Sequence, residues 1–167
     1  MDASSKAFAA IAVCVFLVIS FLVLYGPSVG LSSGTDMPFE MVDPGNGYGY
    51  ESRANFTIEN GTFWESLWLE LYSGYEPIPE VPAVNFTSET LIAVFQGVRS
   101  SGGHWTNITR IIMTDTNYVV YVDEMHPGNG CGVTAVLTYP YQIVKINEHP
   151  LSLPVQFIYN IIVYECE

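Results

Sequence analysis

The spacing of apolar and polar residues sorts the chain into distinct stretches. Phe8 to Tyr25 reads FAAIAVCVFLVISFLVLY, an uncharged run of 18 residues with no polar face. As a helix it is roughly 27 Å long, close to the thickness of a bilayer's hydrocarbon core. Residues 26–50 lose all periodicity and are rich in Gly, Pro and Ser. They read as a tether, ordered towards its end, with a domain from about residue 51. Trp64, Leu67, Trp68 and Leu71 then fall at i, i+3, i+4 and i+7, the spacing of one helix face. Thr62 and Glu65 fit a capping box at its start, and Ser73-Gly74 suits its end. Residues 76–84 carry three prolines and must be extended.

Beyond residue 90 the pattern is that of strands. Leu91–Gln96, Ile108–Met113, Tyr118–Val122, Val133–Thr138, Gln142–Ile146 and Val155–Tyr164 are rich in Val, Ile, Tyr and Thr, with turn residues between them. The last is apolar on both faces, so it is expected at the centre of a sheet, covered on both sides. The class is α+β, mostly β: one N-terminal transmembrane or signal helix at 1–30, a tether at 31–50, and a β-rich domain at 51–167. That domain is expected to be an antiparallel sheet or small barrel with one amphipathic helix packed on it. Pro44–Gly49 and Pro127–Gly132 share the pattern PGNGxG, which is turn chemistry rather than a phosphate cradle.

Charge narrows the function. The chain has 167 residues, 17 acidic and 5 basic, for a net charge of −12. Five scattered cations cannot build the basic stripe that nucleic acid requires. Only 13% of residues are charged, against about a quarter in typical domains. Residues 8–25 are expected to hold the protein to a membrane with the domain outside the cell, by the weak bias of Lys6 before the run. Two other readings stay open: a signal peptide cut near Ser28-Val29-Gly30, or a pilin-type signal cut near Lys6-Ala7. The sequons at Asn55, Asn60, Asn85 and Asn107 agree with an external location. So does the cysteine arithmetic. Cys14 lies in the apolar run, which leaves Cys131 and Cys166 to pair in an oxidising compartment; two separate buried thiols are the alternative.

Catalytic chemistry is poorly represented. Ser100 and Ser101 precede His104 in a Gly-rich turn, without a nucleophile elbow. There is no HExxH, no CxxC and no complete calcium loop, so no metal and no cofactor are expected. The best candidate site is the loop at 97–105. Arg99, Ser101, Gly102, Gly103, His104 and Trp105 there combine a cation, flexible backbone and two residues that make large interface contacts. The alternative is a wide hairpin with Trp105 folded into the core.

The stretch Phe63–Glu165 resembles the PrcB-type domain, named for an accessory subunit of a bacterial cell-surface protease complex. The resemblance rests on an ordered set: Trp64 and Trp68; the Pro-rich link into Val84-Asn85-Phe86; the strand at Leu91–Gln96 with Gly97; the Ser-Gly-Gly turn; Pro127-Gly128 with Cys131; and Thr138-Tyr139-Pro140-Tyr141 leading into Ile143-Val144-Lys145. The chain departs from the family's pattern at His104-Trp105, after Gly-Gly, and at Asn85, where an Asp is usual. The resemblance implies a non-catalytic β-rich domain of the cell envelope that assists a surface protein such as a protease. A looser similarity links Ser101–Gly103, Gly128–Gly132 and Tyr139–Tyr141 to the loops of chagasin-like protease inhibitors. The leading expectation is a binding or scaffold protein that engages an envelope partner through the 97–105 loop and exposed tyrosines. Assembly with copies of itself into a filament, pilin-like or by strand exchange, is the second. Protease inhibition is the third.

Overall fold

The structure is a computed structural model, and it describes residues 34–45 and 47–166. In chain order the elements are β1 (Thr35–Asp36), β2 (Phe39–Asp43), β3 (Ala54–Ile58), α1 (Gly61–Leu71), β4 (Thr90–Phe95), β5 (Trp105–Met113), β6 (Tyr118–Pro127), β7 (Tyr141–Ile146) and β8 (Val155–Tyr164). The strands form two four-stranded sheets, in the orders β1-β5-β6-β8 and β2-β7-β4-β3.

Why β4 reads as an unbroken apolar run is now clear. It is central and covered on both faces. Leu91, Ala93 and Phe95 join Tyr141 and Ile143 of β7 under α1. Ile92 and Val94 join Val144 and Ile146 against Ile108, Ile111, Val120 and Val122 of the other sheet. The described residues are therefore mostly β and three layers deep: sheet, sheet, helix.

The α1 face Trp64, Leu67, Trp68 and Leu71 is buried as its spacing predicts. Both indoles donate into the Pro-rich segment, Trp64 Nε1 to the Pro82 carbonyl and Trp68 Nε1 to the Pro79 carbonyl, each at 2.9 Å. Those bonds give an extended segment its place on the helix.

Several expectations are corrected. The helix cap is Asn60, not Thr62: Asn60 Oδ1 accepts from the Phe63 N–H at 2.9 Å, and Thr62 lies inside the first turn. Residues 35–43, read as tether, supply β1 and β2, which pair with β5 and β7. Val133–Thr138 forms no strand; only Thr138 bridges, to Arg99, and residues 132–137 are exposed. The last strand is not central. β8 is an edge, and it runs parallel to β6 rather than antiparallel. The expected span at 8–25 lies outside the described residues, and among these no helix is long and apolar enough to cross a membrane.

Candidate binding site at one end of the sandwich

Strand direction gathers the long loops. β4 runs antiparallel to β7, β7 to β2, and β5 to β6. The β2–β3, β4–β5 and β6–β7 connections therefore all leave the same end of the sandwich. The candidate loop at 97–105 is the second of these.

It is tied down rather than free. Gly97 and Gly103 take positive φ, +85° and +81°, which lets the chain turn back on itself twice. Arg99 and Thr138 exchange backbone bonds at 2.8 and 2.9 Å. The Gly102 N–H donates to the Thr134 carbonyl at 2.9 Å, and Thr138 Oγ1 donates to the Ser101 carbonyl at 2.7 Å. Tyr164 Oη donates to the Gly103 carbonyl at 2.8 Å. The β4–β5 and β6–β7 loops thus form one surface.

The six candidate residues diverge within it. Arg99 turns inward, its Nε donating to Gln96 Oε1 at 3.1 Å. Trp105 opens β5 on the outer side, 45% exposed, its ring 4.9 Å from that of Tyr164. It is not folded into the core. His104 sits between Ser101 Oγ, 3.2 Å from its Nε2, and His126 Nδ1, 3.0 Å from its Nδ1. Burial, then the neighbouring imidazole and Arg99, push His104 below the ordinary histidine value; burial, then Arg99 and Arg53, do the same to His126. A serine hydroxyl beside a neutral imidazole resembles half of a nucleophilic pair. However, the adjacent Gly102 N–H is already committed to Thr134, so it is not aimed at an oxyanion.

His104 also lines a groove of about 380 Å³. Its walls are Tyr48, Tyr75 and Tyr139, with Gly45, Gly47, Leu137, Thr138 and Pro140. The Tyr48 ring meets those of Tyr75 and Tyr139 edge-on at 6.2 and 6.3 Å. Tyr48 is 53% and Leu137 64% exposed, so apolar surface remains open. The first PGNGxG turn shapes this wall: Gly45 has φ +94°, and a Cβ there would lie 2.4 Å from the Tyr141 carbonyl oxygen. The second turn differs, with open space at Gly130 and Gly132 and closure by the Cys131–Cys166 disulfide. Tyr139 faces the groove, but Tyr141, its companion in the inhibitor-like loop, is 1% exposed and cannot meet a partner.

Behind the loop lies a buried polar cluster. Glu124 on β6 is fully buried and pairs with Arg53, whose guanidinium sits 4.4 Å over the Tyr159 ring. Burial pushes the Glu124 carboxyl up, and Arg53 and Arg99 pull it back. Glu124 Oε1, Gln96 Nε2 and Thr106 Oγ1 have no hydrogen-bond partner among the described residues.

The four sequons lie on different parts of the surface. Asn60 and Asn85 are exposed, and Asn85 Oδ1 accepts from Thr87 Oγ1 at 2.7 Å. Asn107 is exposed and its Oδ1 accepts from Gln142 Nε2 at 2.9 Å; Asn55 is half-buried and accepts from Tyr159 Oη. Among the described residues no three His, Cys, Asp or Glu side chains gather as metal ligands.

Sequence reasoning missed Tyr48, Tyr75 and His126 as site residues. The one available signal was the number of tyrosines, 11, which does not say which of them share a wall.

Residues 90–147 match the family model described as PrcB C-terminal, so this segment is similar to PrcB-type domains. The match runs from β4 through β7 and includes the two loops that bear Arg99–His104 and Leu137–Pro140. It is narrower than the resemblance read over 63–165, leaving α1 and β8 outside. No curated protein and no solved structure gives a significant match to the chain.

Proposed function

We propose that the chain, with a PrcB-type domain at 90–147, is a non-catalytic binding protein of the cell envelope. In this reading residues 8–25 anchor it, the domain stands outside, and it serves as an accessory partner to a surface protein of protease type. The groove walled by Tyr48, Tyr75 and Tyr139 carries the proposal. Tyrosines provide large, rigid contact area with a polar tip at small entropic cost, which suits recognition of a protein segment. The groove adjoins the PrcB-type loops, whose backbone bonds hold them in one shape before any partner arrives. Pre-organisation of this kind reduces the ordering cost of association.

The test is affinity purification of the full chain from native membranes, comparing the wild type with Tyr48→Ser/Tyr139→Ser. The proposal expects a specific surface protein with the wild type and at least a tenfold loss with the variant, because truncating anchor residues typically costs 2 kcal/mol or more. Equal recovery would remove the groove from the function.

A further inference from the structure

A second surface lies away from the groove, at the β8 edge. Among the described residues β8 pairs with β6 on one side only. An edge strand with unpaired backbone groups invites another strand, and natural proteins usually blunt such edges with charge, Pro, a bulge or brevity. Two of the other three edges carry these devices: β1 has two residues, and β2 holds Glu40, Asp43 and a register shift, while β3 is half the length of β8. β8 has ten residues, no charge, no Pro and an unbroken register.

Its side chains point to one occupant. Phe157 and Tyr159 face inward onto the core between the sheets. Alternation carries that face on to Ile161 and Val163, opposite Glu124 and His126 of β6, yet these are 62% and 59% exposed. One half of the strand's inner face is covered and the other half is bare. We infer that β8 pairs antiparallel with β8 of a second copy, about a two-fold axis at Asn160. That register sets Tyr159 of one copy beside Ile161 of the other, and Phe157 beside Val163. Each bare half then meets the covered half of its partner. On the outer face Ile158, 40% exposed, meets Ile162. A two-fold axis perpendicular to the sheet keeps inner faces together, as this pairing requires.

Charge permits the approach. The molecule carries −12, but residues 155–164 carry none. Asp123, the nearest acid on the outer face, accepts from Asn160 Nδ2 at 3.1 Å. Its counterpart would stand three strand spacings away, about 14 Å, beyond the screening length at physiological salt.

Cross-linking of the full chain in detergent tests this, in a Cys14→Ser background that leaves Cys131 and Cys166 paired. Asn160→Cys puts two thiols on the axis. Gln156→Cys, on the same strand and face, puts them eight positions apart, about 26 Å. Mild oxidation should convert most of the first variant to a covalent dimer and less than a tenth of the second. Adding Ile161→Lys/Val163→Lys to Asn160→Cys should reduce the dimer at least tenfold. A monomeric Asn160→Cys, or equal dimer from both positions, would overturn the inference. So would capture of the Asn160→Cys thiol by a different protein in native membranes, which would give the edge to another partner.

Discussion

Asp43 ends β2 with 1% of its surface exposed and holds three groups at once. Tyr72 and Tyr141 donate their hydroxyls to its Oδ2 at 2.8 and 2.9 Å, and the Gly45 N–H donates to Oδ1 at 2.9 Å. Burial and the carboxylate push Tyr72 up to about 12 and raise Tyr141 further. Asp43→Ala would remove the buried carboxylate that accepts from both hydroxyls, at a cost of about 3 kcal/mol. A urea midpoint below that of the wild type, at unchanged m, is the expected reading. In the sequence Asp43 looks like one more solubility charge, because Tyr72 and Tyr141 lie 29 and 98 residues away. The histidine pair was equally hidden. Both imidazoles are held below the ordinary value of 6.5, so the folded state favours their neutral forms. Their contribution to stability is full above pH 6.5 and is lost as pH falls from there through the depressed folded values. Thermal melts between pH 7.5 and 5 should show a larger loss for the wild type than for His104→Gln/His126→Gln. Parallel curves would show that the pair is not titrating as described.

At the scale of elements, what could be read depended on whether one residue pattern has one physical meaning. The Trp64–Leu71 stripe does, and it is buried as spaced. β4 and β7 were legible as strands for the same reason, being runs of apolar residues between turns. β8 was legible as a strand but not as an edge, because apolarity on both faces describes a covered strand and an uncovered one alike. The Gly, Pro and Ser of residues 34–49 hid two short strands whose pairing is set by residues about 75 to 105 positions later. The cysteine arithmetic, in contrast, held: Cys131 and Cys166 are joined across 35 residues, fixing the end of β8 to the β6–β7 loop. Cys131→Ser/Cys166→Ser should lower unfolding stability by about 3–4 kcal/mol on the loop-entropy account. A loss below about 1 kcal/mol in denaturant titration would mean that other contacts already hold that end.

For the whole molecule, the scarcity of cations takes on a definite form. Arg53, Arg110 and Lys145 are spent on Glu124, Asp36, and Glu40 with Glu89, while Arg99 turns onto Gln96. Each of these four cations is engaged by a neighbouring side chain, the Arg110–Asp36 pair on the open surface, and the groove is lined by neutral residues. An acidic surface broken by a neutral tyrosine groove is the basis of the proposed role beside an envelope partner. The most direct measurement is the ratio of co-purified surface protein to bait, by quantitative mass spectrometry of native membranes, for the wild type and Tyr48→Ser/Tyr139→Ser at matched melting temperature. The account predicts one protein enriched with the wild type and reduced at least tenfold with the variant. The same protein at the same ratio in both would contradict it.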